Sequence, residues 1–265
     1  MQPVLSVQLS HCYLQKKEGD HIAGYKVYLG ANGSNTNKII KAKPSIAVIE
    51  MTEFTDGQIK KLRTKGIKLI AYLNVGAIEK TRPYYQKYKK YVIGSYSDWD
   101  EKWMDLSKKE WQDFLLSQAK KFKARGAMGL YIDNLDVVEE YKSKKLYAHA
   151  RAILKRIRKE TGLYLMVNGA DYFVAKCIKD KAICFQAIQQ EEVFTRITSI
   201  SKNKAGSQSA AEKKRLKAYC TSVKKHGISV YLLEYRANAA NLAKIAAYCK
   251  KYKMHYYNSK TVDLV

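Results

Sequence analysis

The sequence predicts an α/β fold, a (β/α)8 TIM-type barrel that forms a single domain over residues 1–265. Three observations predict it. Short apolar runs alternate with helical patterns almost from end to end, which implies a parallel sheet with right-handed crossovers. The length of 265 residues is close to the usual size of one such barrel. No GxGxxG turn or P-loop follows any predicted strand, so an open nucleotide-binding sheet fits the pattern less well.

The first half of the chain alternates strands with helices. Runs rich in β-branched and aliphatic residues predict strands near Val4 to Leu9, and at Ile46 to Ile49, Lys68 to Leu73 and Gly129 to Asp133. Apolar residues at helical spacing predict helices at Thr55 to Lys65 and Lys108 to Arg125. The predicted N-caps are Thr55 and Ser107, and the first helix ends at Gly66.

The second half continues the alternation. We predict helices at Tyr141 to Thr161, Ala210 to Lys225 and Asn241 to Lys253. The predicted strands are Leu163 to Val167, Ala182 to Ala187, Ile228 to Glu234 and Met254 to Tyr257. The polar stretch from Ser199 to Ser209 predicts a surface loop. Seven strands therefore follow residue 46, and the one near the N-terminus would complete eight.

The charge of the chain is strongly positive. Lys and Arg number 49 against 24 Asp and Glu, which gives a net charge of +25. Such a field attracts polyanions, among them nucleic acid, teichoic-acid-rich cell wall and acidic polysaccharide. The lysines are scattered along the predicted helices, so they indicate either solvated outer helix faces or a groove for a polyanion. No specific nucleic-acid-binding motif is present.

Apolar runs and the N-terminal pattern bear on the location of the protein, and the cysteine pattern bears on its redox state. No apolar run approaches the roughly 18 residues of a membrane span. Residues 1–10 do not have the pattern of a signal peptide, and we expect a secreted or cell-surface protein, with a cytoplasmic one as the alternative. The five cysteines form no CxxC pair, which indicates buried free thiols or, in an exported protein, one or two bridges.

Polar side chains follow the apolar part of nearly every predicted strand. Leu130 and Ile132 alternate on a pleat, and Asp133 and Asp136 come where that strand must stop. The corresponding residues of the other strands are Glu50, Asn74, Asn168, Glu191 with Glu192, and Glu234. In a barrel these positions share the rim that carries the chemistry of such folds. Aromatic residues in the rim loops are candidates for stacking on sugars or for the core: Tyr84, Tyr85, Tyr96, Trp99, Trp103 and Tyr235.

Taken together, these motifs resemble glycoside hydrolase family 114, the endo-α-1,4-polygalactosaminidase-like barrels. The resemblance runs from about residue 46 to the C-terminus and is carried, in order, by residues 70–77 (IAYLNVGA), 82–85 (RPYY), 103–106 (WMDL), 129–136 (GLYIDNLD), 191–194 (EEVF) and 234–235 (EY). Glu50 stands where the family usually has Asp, and its longer side chain predicts a different substrate subsite there.

The resemblance implies that Asp133 and Glu191 are the catalytic pair, with Asp133 as nucleophile and Glu191 as general acid/base. Two carboxylates are what glycoside hydrolysis needs, since one protonates the leaving oxygen while the other attacks or activates water. We expect Asn134 to keep Asp133 ionised and Glu192 to raise the pKa of Glu191. The expected substrate-binding residues are Glu50, Asn74, Asp136, Asn168, Glu234, Tyr235, Arg82, Tyr84 and Trp103.

Some of these residues have a second interpretation. Asp136 is either a sugar ligand, or a partner of one, or a helix cap. Glu234 either binds substrate or pairs with a lysine. Asp105 and Arg82 form a structural ion pair or contact sugar.

The sequence thus predicts a glycoside hydrolase that cleaves an amino-sugar-containing or related polysaccharide with retention of configuration. The alternative is a non-catalytic barrel that binds anionic polymer, a cell-wall glycan or nucleic acid, through its basic surface. The family's substrate is galactosamine-rich and cationic when deacetylated, so the net charge favours an N-acetylated or anionic glycan unless the cleft is locally acidic. Two carboxylates suffice for the reaction and no ligand cluster is visible, so we expect no metal or cofactor.

Overall fold

The computed structural model describes residues 24–96 and 100–265. The described part of the chain contains thirteen strands: β1 (Tyr25–Tyr28), β2 (Ile46–Ile49), β3 (Lys68–Asn74), β4 (Ala77–Glu79), β5 (Val92–Tyr96), β6 (Glu101–Met104), β7 (Gly129–Asp133), β8 (Tyr164–Asn168), β9 (Ala187–Glu191), β10 (Thr195–Ser199), β11 (Lys204–Ser207), β12 (Ser229–Tyr235) and β13 (His255–Ser259). It also contains nine α-helices: α1 (Thr36–Lys41), α2 (Asp56–Thr64), α3 (Tyr85–Tyr88), α4 (Lys109–Ala124), α5 (Val137–Glu140), α6 (Lys144–Thr161), α7 (Asp171–Lys179), α8 (Ala210–Lys225) and α9 (Ala239–Tyr252).

Eight strands form one parallel sheet in the order β1-β2-β3-β7-β8-β9-β12-β13. The two edge strands, β1 and β13, lie against each other, so the sheet is nearly closed into a barrel. Helices surround it, as expected when each parallel strand is followed by a crossover helix. The structure confirms the predicted barrel class. No helix in residues 24–96 and 100–265 combines the length and hydrophobicity that crossing a bilayer requires.

The hydrophobic core has two layers, which the pleat of the strands separates. One layer lies between sheet and helices, where Trp111 of α4 is fully buried. The other fills the barrel and is rich in tyrosine, with Tyr25, Tyr131, Tyr231 and Tyr235 facing the axis. Because inward residues recur every second position, a strand that puts one side chain at the rim also puts another inward-facing side chain two residues deeper, as Tyr131 lies below Asp133.

Two insertions stand on the rim at the carboxyl ends of the strands. An antiparallel sheet of order β4-β6-β5 follows β3, and the hairpin β10–β11 follows β9. A chain segment after β13 also reaches this rim, where Gly30 permits its close approach. A Cβ on Gly30 would lie 2.0 Å from the carbonyl oxygen of Asp263.

Several predicted elements are confirmed. Six of the seven barrel strands predicted from Ile46 onward are present at their predicted places, and Thr55 caps α2 in a capping box with Gln58. Gly162 ends α6 in the left-handed conformation, with φ of +67°. These features depend on local chemistry, because Ser/Thr caps and glycine C-caps satisfy backbone groups within a few residues of the helix end.

Other predictions are wrong. The helix predicted from Tyr141 begins only at Lys144, as α6, and the unpredicted short helix α5 precedes it. Ser143 caps α6 by accepting from the N–H of Leu146 at 3.2 Å. Ser107 does not cap α4, whose N-cap position is Lys108 and has no side-chain hydrogen bond. The stretch predicted as a loop, Ser199 to Ser209, contains strand β11 and overlaps the end of β10, with which β11 forms a hairpin.

The strand predicted at Ala182 to Ala187 is displaced along the chain. The barrel strand is β9, Ala187–Glu191, and the unpredicted helix α7 precedes it. Gln189 in its middle is fully buried, although polar residues were taken to mark the end of the strand. Neighbouring polar side chains in the barrel satisfy this amide, and the sequence does not reveal them.

Some predictions fall outside the described residues, namely the strand near Val4 to Leu9, Trp99 and Cys12. The first described barrel strand is β1, which the sequence did not predict. The four cysteines of the described part are buried free thiols: Cys177, Cys184, Cys220 and Cys249.

Candidate active site

A cleft of about 600 Å³ lies at the carboxyl ends of the barrel strands. The sheet β4-β6-β5 forms one side, and the hairpin β10–β11 with the segment after β13 forms another. Its lining includes five of the expected substrate-binding residues and both expected catalytic carboxylates: Glu50, Arg82, Asp133, Asp136, Asn168, Glu191 and Tyr235. The strand register therefore brings together side chains that are up to 185 positions apart in the sequence (Glu50 to Tyr235).

Asn168 connects the two central carboxylates. Its amide nitrogen donates to Oδ1 of Asp133 at 3.1 Å and to Oε1 of Glu191 at 3.0 Å. The two acceptor oxygens are therefore no more than 6.1 Å apart, the sum of those two distances. The three residues end the neighbouring strands β7, β8 and β9, which is why one amide can reach both acids.

Tyrosine hydroxyls complete the surroundings of the pair. Tyr72 donates to Oδ2 of Asp133 at 2.9 Å, and Tyr235 donates to Oε2 of Glu191. Tyr131 contributes a longer hydrogen bond of 3.4 Å to Oε1 of Glu191. Each carboxylate thus accepts hydrogen bonds on both oxygens.

Sequence reasoning missed Tyr72, Tyr131 and Gln189. Gln189 lies below the pair, donates to the hydroxyl of Tyr131 at 2.5 Å and accepts from Tyr25. The signal was the two-residue repeat of the strands, because Tyr131 lies two positions before Asp133, and Gln189 lies two positions before Glu191. Inward-facing neighbours of a predicted catalytic residue can be found in this way.

Burial is the first cause of the unusual pKa values of the pair. It raises the pKa of Glu191 to about 6, against the hydrogen bond from Tyr235, which lowers it, and with a smaller contribution from the charge of Asp133. Burial also raises the pKa of Asp133, and hydrogen bonds from Asn168 and Tyr72 oppose that rise. The expected effect of Glu192 on Glu191 is present but is the smallest of the causes.

Asn134 acts on Asp133 through its backbone rather than its side chain. Its backbone N–H lowers the pKa of Asp133, whereas its amide donates to Oε2 of Glu101 at 2.6 Å. Asn134 is in the left-handed conformation with φ of +63°, which asparagine tolerates better than most residues. Gly76 packs directly against it, since a Cβ there would lie 1.7 Å from the Asn134 carbonyl oxygen.

Glu101 of β6 is a further carboxylate of the cleft that the sequence did not indicate. Its Oε2 also accepts from the amide of Asn74 at 3.3 Å. Burial, and then the charges of Asp133 and Glu79, raise the pKa of Glu101 to about 7. Asn74 itself is buried, does not line the cleft, and accepts from the N–H of Ala77 at 2.9 Å. Asn74 therefore holds the start of the inserted sheet and Glu101 in place.

Arg82 lies between two carboxylates at one end of the cleft. Its guanidinium is 2.9 Å from Oε2 of Glu50 and 2.5 Å from Oε2 of Glu79. The expected pairing of Arg82 with Asp105 is wrong, because Asp105 pairs with Lys108 at 3.3 Å and accepts from the N–H of Ser107.

Asp136 occupies the N-cap position of α5 but makes no capping hydrogen bond with its side chain. It faces the cleft instead, and burial together with the charge of Asp133 raises its pKa to about 7. The helix-cap interpretation of Asp136 is therefore wrong.

Glu234 lies outside the cleft. On β12 its neighbours Leu233 and Tyr235 belong to the barrel interior, so the pleat turns Glu234 to the helix layer. Its fully buried carboxylate accepts from the backbone N–H groups of Phe194 and Thr195 at 3.0 and 2.8 Å. Glu234 thereby anchors the base of the hairpin and forms no ion pair with a lysine of residues 24–96 or 100–265.

Two expected aromatic ligands also lie behind the cleft surface. Trp103 is buried and stacks on Tyr96, with ring centroids 4.3 Å apart, and Tyr96 is the ring that lines the cleft. Tyr84 packs against Phe114 of α4 with centroids 4.6 Å apart. The rings of Trp103 and Tyr84 therefore pack against other aromatic rings and do not line the cleft.

The cleft is acidic although the protein is basic. Seven carboxylates line it against the single guanidinium of Arg82 among the described residues: Glu50, Glu79, Glu101, Asp133, Asp136, Glu191 and Asp263. Within the described ranges, no three His, Cys, Asp or Glu side chains converge in a cluster that could hold a metal ion. The local field in the cleft is therefore opposite in sign to the net charge of the chain.

Three solved structures have a fold similar to that of this barrel. The glycoside hydrolase domain of PelA from Pseudomonas aeruginosa has a TM-score of 0.75 and 17% identity, over 91% of this chain and 96% of that chain. Aspergillus fumigatus Ega3 in complex with galactosamine has a TM-score of 0.65 and 16% identity, over 96% and 97%. TtGalA, an α-galactosidase from Thermus thermophilus, has a TM-score of 0.63 and 10% identity, over 91% and 58%.

No curated protein matches the chain in sequence. The sequence model of the glycoside-hydrolase family GH114, in contrast, matches residues 14–263. With this match over nearly its whole length, the chain belongs to glycoside-hydrolase family GH114.

Proposed function

We propose that this protein is an endo-acting hydrolase of an amino-sugar polysaccharide, with Asp133 as nucleophile and Glu191 as general acid/base. The observation that carries the proposal is the amide of Asn168, which holds both carboxylates at the floor of one cleft. A pair of acids on the carboxyl rim of a barrel is the arrangement that glycoside hydrolysis uses.

The two carboxyl groups have different environments, as the two roles require. The raised pKa of Glu191, about 6, leaves this group protonated in part of the population near neutral pH, so it can protonate the leaving oxygen. Asp133 accepts from Asn168, Tyr72 and the backbone of Asn134, and these donors favour its ionised form. An ionised Asp133 attacks the anomeric carbon as the glycosidic bond breaks. Glu191 then takes a proton from the water that hydrolyses the glycosyl-enzyme.

The separation of the acids supports retention of configuration. Inverting enzymes need about 6.5–9.5 Å between carboxyl groups to admit a water molecule, and retaining enzymes need about 5–5.5 Å. The two oxygens that share Asn168 are at most 6.1 Å apart, which is nearer to the retaining separation than to most of the inverting range.

The charge of the cleft supports an amino sugar in its free-amine form. Seven carboxylates attract ammonium groups and repel an anionic glycan, so the net charge of the whole chain is the poorer guide to the substrate. Ega3, which shares the fold, is described in complex with galactosamine. The cleft of about 600 Å³ is large enough for several sugar rings, which supports binding of an internal stretch of polymer.

A panel of galactosamine polymers tests the proposal. Deacetylated, N-acetylated and acidic polysaccharides are incubated with the enzyme and the products are sized. We expect internal cleavage, fastest for the deacetylated polymer, with the anomeric configuration retained in products followed by NMR. Cleavage of none of the polymers would favour the non-catalytic, polymer-binding alternative.

Two isosteric substitutions test the roles. D133N and E191Q should each lower kcat by about a thousandfold or more, because each removes one half of the acid pair. E139Q, at an exposed carboxylate outside the cleft, is the matched control and should retain activity. Unchanged cleavage by both D133N and E191Q would exclude this pair.

A further inference from the structure

The face of the barrel opposite the cleft carries most of the net positive charge of the chain. Seven connections lead there from the ends of helices into the barrel strands, and we call them together the basic face: residues 38–46, 61–68, 121–129, 158–164, 176–187, 224–229 and 250–255. They contain 20 Lys and Arg residues against two acids. Because strands run parallel and helices return antiparallel, all seven lie at the amino ends of the strands, away from the catalytic rim.

Stabilisation of helix ends accounts for part of this charge. Lysines in a last helical turn offset the partial negative charge of the helix terminus. Lys43 and Lys181 lie one residue past the C-cap positions of their helices, and Lys253 is the C-cap of α9. All three side chains are exposed and add to the charge already present in the last turns.

These three lysines also occupy backbone positions that favour glycine. Each of the seven connections has one left-handed residue, and in four of them it is glycine: Gly66, Gly126, Gly162 and Gly227. In the other three it is Lys43, Lys181 or Lys253, with φ of 45°, 50° and 53°. A side chain with a Cβ costs energy in this region and glycine does not. The fold alone would favour glycine at all seven.

The charge on this face is poorly compensated. Of the two acids in these connections, Glu160 pairs with Lys120 and Arg156, and Asp180 pairs with Lys176 at 3.1 Å. Arg125 pairs with Asp56, outside the connections, at 2.6 Å. Burial, and then repulsion from Lys253, lower the pKa of Lys224. Crowding of like charges weakens a fold, so a partner of opposite charge is the physical complement of this surface.

We propose that the basic face binds an acidic polysaccharide, a polymer with repeated carboxylates, while the cleft on the opposite face remains free to act on another chain. Of the 20 cations 17 are lysines, which act as hydrated point charges rather than as bidentate phosphate ligands. Helix N-termini, the usual phosphate sites, point to the cleft side, so nucleic acid fits less well.

A membrane surface also fits less well than a soluble polymer. Peripheral membrane binding uses apolar side chains that enter the bilayer interface. Of the large apolar residues exposed in the described chain, the basic face contains only Ile183. The acidic cleft repels the polymer that the basic face attracts, so the two faces select ligands of opposite charge.

The triple variant K43G/K181G/K253G tests the proposal with polygalacturonate as the probe. We expect affinity at 50 mM salt to fall roughly tenfold or more, with a shallower dependence on salt, since each lysine near an anionic surface contributes substantially to binding. The Tm should stay the same or rise, because glycine relieves the left-handed backbone. A normal Tm separates lost binding from lost folding.

The matched control is K89Q/K142G/K204Q. It removes three exposed charges from the cleft side, one of them from another left-handed lysine, Lys142 with φ of 43°. We expect its affinity for polygalacturonate to stay within about twofold of the parent. An equal loss in both triple variants would show that net charge alone drives binding and would overturn the proposal.

Two further results would also overturn it. One is the absence of polygalacturonate binding by the parent protein at 50 mM salt. The other is tighter binding of duplex DNA or of phosphatidylserine vesicles than of polygalacturonate at equal salt. Binding that is unchanged in D133N and E191Q would support a surface separate from the cleft, and would do so whether or not the protein cleaves the tested polymers.

Discussion

The hydroxyl of Tyr235 donates a hydrogen bond to Oε2 of Glu191. The bond stabilises the ionised form of the carboxylate and so opposes the rise in pKa that burial causes. A residue at the end of β12 thereby adjusts the proton affinity of the proposed acid/base at the end of β9.

Y235F should raise the pKa of Glu191 above its value of about 6. Loss of a hydrogen bond to a charged group predicts a shift of about one pH unit. The alkaline limb of the kcat/KM profile, where the general acid loses its proton, should move to higher pH by that amount. Y172F, at an exposed tyrosine, is the control and should leave the profile unchanged. An unmoved alkaline limb in Y235F would assign that limb to another group.

N168A should lower kcat about a hundredfold with little change in KM. The substitution removes the donor that Asp133 and Glu191 share and allows them to move apart. Steady-state kinetics on the deacetylated polymer measure the effect, with N37A as an exposed control. A change confined to KM would instead make Asn168 a residue that only binds substrate.

E101Q should make the protein more stable at neutral pH. Burial raises the pKa of Glu101 from its ordinary 4.5 to about 7, so the folded protein holds a proton in that interval that the unfolded chain has released. The free energy of unfolding therefore falls as pH rises from about 4.5 to 7. A glutamine oxygen can still accept from Asn74 and Asn134 but carries no charge.

Urea unfolding at several pH values measures this effect. The variant should gain about 1–3 kcal/mol at pH 8 relative to the parent and almost nothing at pH 4.5. The free energy of unfolding of E101Q should still fall somewhat as pH rises, because burial also raises the pKa values of Asp136 and Glu234 to about 7. A parallel loss of stability at both pH values would mean that the amide does not reproduce the hydrogen bonds.

G76A should destabilise the protein by about 2–3 kcal/mol and lower its activity. The added Cβ would lie 1.7 Å from the carbonyl oxygen of Asn134 and must displace the turn that follows Asp133. G57A is the matched control, because its Cβ meets only Thr55 Oγ1 at 4.0 Å inside α2. G57A should gain about 0.5–1 kcal/mol from helix propensity. Thermal unfolding of G76A and G57A measures the effect. A smaller loss of Tm in G76A than in G57A would contradict the structure.

The sequence by itself determined the barrel and the position of the acid pair along the chain. Alternation of strands and helices predicts parallel strands, and parallel strands put Asp133, Asn168 and Glu191 on one rim. This information is local, because a strand pattern and the polar residue that ends it can be read within a few residues.

Only the tertiary structure decided which way each rim residue faces and what surrounds it. Glu234 ends a strand as Glu191 does, but the pleat turns it to the helix layer, where it holds backbone amides. Glu101 has no local signal, since its hydrogen-bond partners Asn74 and Asn134 are distant in the sequence. The acidic cleft and the opposite basic face follow from the same cause: the fold sorts charges that are interspersed along the sequence, because strand ends and helix ends lie on opposite faces of a barrel.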